Sequence, residues 1–419
     1  MVKILPKKSF NGEIFVPGDK SISHRALILG AIAEGTTEVE GFLVGEDCLA
    51  TISCLRQLGV RIDIGNDFVR VHGKGLHGLS APKDVLHCGN SGTTMRLLCG
   101  LLAGQNFDSI LDGDDSLQKR PMKRVIEPLR LMGANISATG DEKSPLRIFG
   151  SALKGIRYKM PIHSAQVKSA ITLAGLYADG ETVVEEISAG TTRNHTELML
   201  NYMTENGILT GKKIIVPSDF SSAAFFIVLG LLKADEGLVV RNVGLNPTRT
   251  GLLDALWAMG GDIELCNQRK ICNEEVVDIF VRKSRLKAIT LQGDIVPRMI
   301  DEIPVFAVAA TFAQGTTVIK DAGELAVKES NRLETMTAEL AKMGVDIVAL
   351  DDGMIIKGNE GGHEHCVSNA GVGAVLNSHN DHRVAMSLAI AALCADDESF
   401  LEGSKWADVS FPQFFDIIS

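Results

Sequence analysis

The sequence predicts an α/β protein of two domains. Each is an inside-out α/β barrel, or prism, built from three copies of a βαβαββ-like unit whose main helices are buried. Three observations lead there. One phrase, an apolar small-residue helix followed by a turn and a β-branched strand, recurs six times. A second phrase, an amphipathic helix stopped by glycine and followed by a strand, alternates with it. The 419 residues, 45% of them hydrophobic, are more than one core usually organises and favour two domains.

The first phrase starts at Ala26 as ALILGAIAEGTTEVEGF and at Arg96 as RLLCGLLAGQNFDSILDG. It returns at Ser169 as SAITLAGLYADGETVVEEI and at Ala223 as AAFFIVLGLLKADEGLVVRNV. The last two copies are VFAVAATFAQGTTVIKDA from Val305 and VAMSLAIAALCADDESFLEG from Val384. A helix apolar nearly all round belongs inside a protein. The second phrase reads CLRQLGVRIDI, PLRLMGANISA, LMLNYMTENGI, LLDALWAMGGDIEL and TMTAELAKMGVDIVAL. Glycine ends these helices because left-handed backbone is cheap there, and the alternation after it reads as a strand. A sixth copy is either missing or contributed by the chain termini.

The repeat interval of roughly 60 to 80 residues suits a small α/β unit better than a solenoid repeat. The amphipathic helices lie outside in this scheme, and three sheets enclose the apolar ones. The expected division makes residues 17–230 one domain and residues 1–16 plus 231–419 the other, with the N-terminal strand returning to the second. Loops from many units would converge in the inter-domain cleft, a favoured place for ligands.

Composition excludes several functions. With 42 Lys+Arg against 52 Asp+Glu and 5% aromatics, the chain lacks both the basic field and the stacking platform of a nucleic-acid module. No apolar run reaches the ~18 residues of a membrane span. No signal-peptide pattern opens the chain, and its eight cysteines show no CxxC spacing, which predicts a reduced cytoplasmic protein. His363, His365 and Cys366 form one metal-like cluster but lack a fourth ligand, so they read as a polar loop, and no metal or cofactor is expected.

Against a net charge of −10, any anion site must be a local cluster of cations. VPGDKSISHR places Lys20, Ser21 and Arg25 at a predicted helix start, where backbone N–H groups add to the site. CGNSGTTMR offers Asn90 and Gly92 but lacks the Gly-Lys-Ser ending of a Walker A loop. DDSLQKRPMKRV sets Arg120 just before a proline at another helix start. PIHSAQVKSA brings Ser164, Gln166 and Lys168. VPRMIDEIP brings Asp301 and Glu302, AVKESNRLE brings Lys328, Glu329 and Arg332, and SHNDHRVAM brings Asn380, Asp381, His382 and Arg383. Arg and Lys can hold phosphate or carboxylate. Carboxylates beside them repel an anion, a cost that suits a catalyst moving protons better than a passive binder.

The tracts PGDKSISHRA, GNSGTTMR, SLQKRPM, SAQVKSA, VKESNRLE and NDHRVAM, in order across the whole chain and followed by SFPQFF, closely resemble the 5-enolpyruvylshikimate-3-phosphate synthase family. The resemblance implies two domains joined by a double hinge. It implies transfer of the enolpyruvyl group of phosphoenolpyruvate to the 5-hydroxyl of shikimate 3-phosphate, releasing phosphate, by metal-free addition and elimination through a tetrahedral intermediate. The step belongs to aromatic amino acid biosynthesis, and the expected working form is a cytoplasmic monomer with these two substrates as its partners.

The same resemblance implies the roles. Lys20 touches both substrates and is catalytic, with Asp301 and Glu329. Ser21, Arg25, Ser164 and Arg193 hold the shikimate phosphate, with Ala165 alongside and Gln166 near the ring. Asn90 is substrate-binding. Gly92, Arg120, Lys328, Arg332, His382 and Arg383 line the phosphoenolpyruvate site. Asp301 holds the reacting hydroxyl, and Glu329 serves the methylene carbon. Asn331 departs from the Asp common in this tract and puts the anchoring of Arg332 in question.

Two other functions are weighed. A UDP-N-acetylglucosamine enolpyruvyl transferase would carry Lys-Asn near the N-terminus and a reactive Cys before Arg-Pro. This chain has Lys20-Ser21 and no Cys from 100 to 125. A noncatalytic phosphate-ligand-binding paralogue would have no use for Asp301 and Glu329.

Overall fold

The structure is a computed structural model that describes residues 1–188, 192–358 and 374–419. The chain divides into two compact units. Gly18–Pro217 and Lys270–Glu274 form the N-terminal unit, and Met1–Pro17, Ser218–Arg269 and Glu275–Ser419 form the C-terminal unit. The N-terminal unit holds helices α1 (Lys20–Ile32), α2 (Glu46–Gln57), α3 (Gly92–Ala103), α4 (Lys123–Leu131), α5 (Ala165–Gly175) and α6 (His195–Met203). The C-terminal unit holds α7 (Phe220–Lys233), α8 (Gly251–Ala258), α9 (Ile295–Arg298), α10 (Ile303–Thr311), α11 (Arg332–Lys342), α12 (His382–Cys394) and α13 (Phe414–Ile418).

The apolar phrase forms α1, α3, α5, α7, α10 and α12, and these are the inner helices. Every residue of α10 and α12 is buried, as are Phe220–Leu232 of α7 and Ile22–Ile32 of α1. Such helices gain stability by removing apolar side chains from water, not from intrinsic propensity. Small residues allow them to approach closely. A Cβ at Gly100 in α3 would stand 2.2 Å from the carbonyl oxygen of Ala170 in α5. Each unit has its own apolar core. The amphipathic phrase forms α2, α4, α6, α8 and α11. Four of its glycine stops, Gly59, Gly133, Gly260 and Gly344, adopt left-handed φ values between 85° and 96°.

One strand order recurs in four sheets. In the first, Lys213–Ile215 lies parallel to Thr36–Glu40, which is antiparallel to Phe68–His72, itself antiparallel to Arg61–Ile64. Leu86–His87, Ser109–Asp112, Lys143–Phe149 and Asn135–Thr139 repeat it. Gly12–Ile14, Leu238–Gly244, Glu274–Arg282 and Asp262–Ile271 take the same order, as do Thr290–Leu291, Thr316–Ile319, Gly353–Lys357 and Asp346–Leu350. The third repeat departs from it. Its strands form two parallel pairs, Leu153–Lys154 with Ala178–Asp179 and Arg157–Lys159 with Val183–Glu185. In the sixth, N-terminal Val2–Ile4 pairs with Ser399–Glu402. Phe411 and Phe414 then pack on Phe226, with ring centroids 5.9 and 5.8 Å away. The termini therefore complete the last repeat.

The units divide between Pro217 and Ser218, not after residue 230. A cut at 230 would pass through α7, whose buried length belongs to the core that covers it. The two chain crossings share a sequence, VPGDKS at 16–21 and VPSDFS at 216–221. They also share a hydrogen bond: Asp19 N–H donates to Pro217 O and Asp219 N–H to Pro17 O, both at 2.8 Å. Among the described residues, no helix is long and apolar enough to cross a membrane.

Candidate active site

Polar residues cluster where the inner helices begin. Five of these six helices start with a side-chain cap that takes backbone N–H groups of the first turn: Asp19, Ser91, Ser164, Asp219 and Asp381. Capping satisfies orphan donors. The remaining N–H groups and the helix dipole still favour an anion.

In the N-terminal unit, Lys20 opens α1 and donates to Asp47 Oδ2 at 3.1 Å. Arg25, one turn further, is buried and fixed on three sides. Its Nε donates to Thr196 Oγ1 at 2.6 Å, Nη2 to Ser169 Oγ at 2.7 Å, and Nη1 to the Ser21 carbonyl at 2.9 Å. Burial pushes the guanidinium down to about 10, opposed by Glu197 and Asp19, while Arg193 pushes the same way as burial. The cation remains charged at neutral pH. Its hydrogen-bond partners among the described residues are neutral oxygens, so an incoming phosphate would supply compensating charge.

The start of α3 is a second cationic corner. A Cβ at Gly92 would lie 2.8 Å from Arg96 Nη1 and 3.3 Å from Arg120 Nη1, so two guanidinium groups crowd this bare backbone. Arg120 Nη2 donates to Asn90 Oδ1 at 3.0 Å, and Asn90 Nδ2 donates to Asp114 at 3.0 Å. Arg96 Nη1 donates to Gln166 Oε1 at 2.6 Å, and Gln166 Nε2 donates to Thr93 Oγ1 at 3.0 Å. Ser164 caps α5, its Oγ accepting from Val167 N–H at 3.4 Å, with Ala165 the first helical residue. The starts of α3 and α5 are thus tied together by Arg96 and Gln166. Those of α1 and α3 are linked through Asp47, whose carbonyl oxygen lies 3.3 Å from Thr94 Oγ1.

The C-terminal unit presents carboxylates among cations. Asp301 precedes α10 and has Lys328 Nζ at 3.7 Å, Arg332 Nη1 at 3.6 Å and Arg383 Nη2 at 3.8 Å. Arg383 Nη1 also donates to the Asp301 carbonyl at 3.1 Å. Arg332 Nη2 donates to Glu329 Oε2 at 2.6 Å. Burial would lower the Arg332 pKa, but Asp381, Glu329 and Asp301 together raise it above the usual arginine value. His382 is the first residue of α12, buried and close enough to Asp381 to act on its charge. Glu302, adjacent to Asp301, turns inward and accepts the Ser221 hydroxyl.

The sequence-predicted residues therefore gather in two sets. Lys20, Ser21, Arg25, Asn90, Gly92, Arg120, Ser164, Ala165, Gln166 and Arg193 belong to the N-terminal unit. Asp301, Lys328, Glu329, Arg332, His382 and Arg383 belong to the C-terminal one. Sequence reasoning missed Asp47, Arg96 and Thr196, which hold Lys20, Gln166 and Arg25, and gave Asp381 no role. Arg96 had a signal, because it ends CGNSGTTMR one helical turn after Gly92. Asp47 and Thr196 had none, because they pair with residues distant in sequence. Among the described residues, no group of three or more His, Cys, Asp or Glu is placed to hold a metal. His363, His365 and Cys366 lie outside the described residues.

Repeated α/β units that present Lys, Arg and paired carboxylates at buried helix starts define a transferase for anionic small molecules. The sequence matches the EPSP synthase (3-phosphoshikimate 1-carboxyvinyltransferase) family over residues 4–418, and the chain belongs to that family. A 3-phosphoshikimate 1-carboxyvinyltransferase of Thermoanaerobacter sp. (strain X514) is 51% identical over 427 residues, covering 99% of this chain and 98% of its own. One from Citrifermentans bemidjiense is 52% identical over 429 residues, covering 99% and 97%. A solved EPSP synthase from Acinetobacter baumannii superposes with a TM-score of 0.86 at 47% identity, covering 99% of this chain and 96% of that one. The enolpyruvyl transferase NikO from Streptomyces tendae, 15% identical with a TM-score of 0.75, shares the fold. The chain is accordingly an enzyme of the shikimate pathway to aromatic amino acids, moving the 1-carboxyvinyl group of phosphoenolpyruvate to shikimate 3-phosphate.

Proposed function

We propose that the N-terminal set holds shikimate 3-phosphate, that the C-terminal set with Gly92 and Arg120 holds phosphoenolpyruvate, and that Lys20, Asp301 and Glu329 carry the chemistry. The observation that supports this best is Asp301, a carboxylate with Lys328, Arg332 and Arg383 all within 3.8 Å and Glu329 on the same arginine. Cations so placed bring two mutually repelling anions to a proton acceptor.

In the addition step, Asp301 takes the proton of the 5-hydroxyl as that oxygen bonds to the central carbon of phosphoenolpyruvate. The double-bond electrons take a proton from Glu329 at the methylene carbon. In the elimination step, Glu329 recovers a proton from the new methyl group, the carbon–oxygen bond to phosphate breaks, and the double bond re-forms. Phosphate leaves with the proton first taken by Asp301. Lys20, steadied by Asp47, offsets charge on the departing phosphate. Ser21, Arg25, Ser164 and Arg193 bind the 3-phosphate. Ser164 accepts a backbone N–H as a cap, which leaves its own O–H to donate to an anion. Gln166 orients the ring, and Asn90 sets Arg120. His382 and Arg383 complete the phosphoenolpyruvate pocket.

The free thiols of Cys54, Cys88 and Cys99 support a reducing cytoplasm. Both sets of residues lie on one chain, which supports a monomer as the working unit.

The test is phosphate release by purified protein given each substrate alone and both together. Turnover is expected only with both. Lys20→Ala, Asp301→Ala and Glu329→Ala are each expected to lower kcat about a hundredfold or more while leaving the unfolding transition intact. Turnover on UDP-N-acetylglucosamine in place of shikimate 3-phosphate would overturn the acceptor. Tight binding of both substrates without phosphate release would make the chain a noncatalytic binder.

A further inference from the structure

We infer that Glu339, outside the reacting centre, is a positioning residue for the phosphoenolpyruvate-binding loop 377–383. The inference rests on the reading above that Arg332, His382 and Arg383 bind that substrate. Glu339 lies on α11 seven residues after Arg332, two helical turns along the same face. Its side chain is only 1% exposed, unusual for a carboxylate. Its oxygens gather three donors: Lys342 Nζ at 2.8 Å, Asn377 N–H at 2.9 Å and His379 Nε2 at 2.8 Å. An ionised carboxylate only accepts, so His379 presents N–H at Nε2.

The loop it holds departs from ordinary backbone. His379 and Asn380 are successive residues with left-handed φ values of 50° and 62°. Non-glycine residues keep such angles where their surroundings over-determine them. Here α11 grips the loop at both ends. Glu339 fixes Asn377 and His379, and Arg332 fixes Asp381 through bonds of 2.7 and 3.1 Å. Within the loop, His379 N–H donates to Asn377 Oδ1 at 2.7 Å. Asp381 then caps α12, accepting from Arg383 N–H at 2.9 Å. The direction in which His382 and Arg383 leave the loop is set by this double attachment, so loosening one end shifts the groups that meet the substrate.

The experiment measures KM for each substrate and kcat, corrected for active enzyme by titration, in Glu339→Ala, Glu339→Gln, His379→Phe and Arg383→Ala. For Glu339→Ala and His379→Phe the expected result is KM for phosphoenolpyruvate raised about tenfold, with KM for shikimate 3-phosphate within about twofold. Glu339→Gln should restore most of the loss, because its amide oxygen still accepts from Asn377 and its NH2 can donate to His379 in the other tautomer. A lower active fraction with both KM values unchanged would mean that Glu339 merely stabilises the fold and would overturn the inference. His379→Phe remains informative if Glu339→Ala does not fold, since His379 is half-exposed. If Arg383→Ala raises the phosphoenolpyruvate KM while the Glu339 and His379 variants do not, the inference fails and the site reading stands. If Arg383→Ala also leaves that KM unchanged, the site reading fails.

Discussion

Arg332 and Asp381 form a two-pronged ion pair out of reach of water. Nε donates to Oδ2 at 2.7 Å and Nη2 to Oδ1 at 3.1 Å, with the side chains 1% and 0% exposed. Such a pair recovers its desolvation cost only while both partners remain. Asp381→Asn keeps the shape and the helix cap but removes the charge. It is expected to destabilise the C-terminal unit by about 3 kcal/mol, read as a lower urea midpoint, and to raise the KM for phosphoenolpyruvate. A midpoint equal to wild type would show that Glu329 and Asp301 alone satisfy Arg332.

Arg25 is held by two hydroxyls and a backbone carbonyl, which makes its orientation separable from its charge. Thr196→Val removes the acceptor of Nε at nearly constant volume and leaves the guanidinium in place. Leaving one buried donor without its acceptor costs about 1–3 kcal/mol. Part of this cost should appear in binding of the 3-phosphate, as a KM for shikimate 3-phosphate raised about fivefold with phosphoenolpyruvate unaffected. An equal rise for both substrates would place Thr196 in general packing instead.

These pairings also show how far the sequence could be read. The six inner helices were legible because an all-round apolar run has one home, and the outer ones because Gly59, Gly133 and Gly344 stop them within a few residues of their periodic stretch. The helix-start segments were legible for the same local reason, since cap, cation and hydroxyl lie within one turn of each other. What lay hidden depends on partners far along the chain. Nothing near Thr196 points to Arg25, 171 positions away, and nothing near Glu339 points to Asn377. The boundary at Pro217 was obscured because the crossing leads straight into α7 without a linker, and only the echo of VPGDKS in VPSDFS marks it.

Asn331 raised the question of whether losing an acidic residue beside Arg332 weakens its anchoring. The structure gives Asn331 a different task. It caps α11, with Oδ1 accepting from Glu334 N–H at 3.4 Å, while Arg332 is anchored by Asp381 and Glu329. Asn and Asp are nearly equivalent caps. Asn331→Asp should therefore shift stability by no more than about 0.5 kcal/mol and leave both KM values within about twofold. A larger change in the phosphoenolpyruvate KM would show that charge at this position reaches the substrate.

His24 makes the N-terminal unit sensitive to mild acid. Its Nδ1 lies 2.8 Å from Thr51 Oγ1, which lies 2.7 Å from Thr94 Oγ1, and Thr94 in turn donates to the cap Ser91 at 2.7 Å. This buried chain joins α1, α2 and α3. Burial holds the imidazole pKa well below its usual value, and Lys20 and Arg25 push it the same way. The ring is therefore neutral in the folded protein at neutral pH. Once unfolded, it takes up a proton below about pH 6.5. Protons then bind the unfolded state preferentially, so stability falls as pH drops from 6.5 toward the folded pKa, by up to about 1.4 kcal/mol per pH unit. His24→Asn keeps an amide where Nδ1 stands and does not titrate. Urea midpoints at pH 7.5 and 5.5 should therefore fall more steeply in wild type than in the variant, by about 1 kcal/mol. Parallel pH dependence in the two proteins would mean that His24 is protonated in the fold, and the neutral hydrogen-bond chain joining these three helices would have to be redrawn.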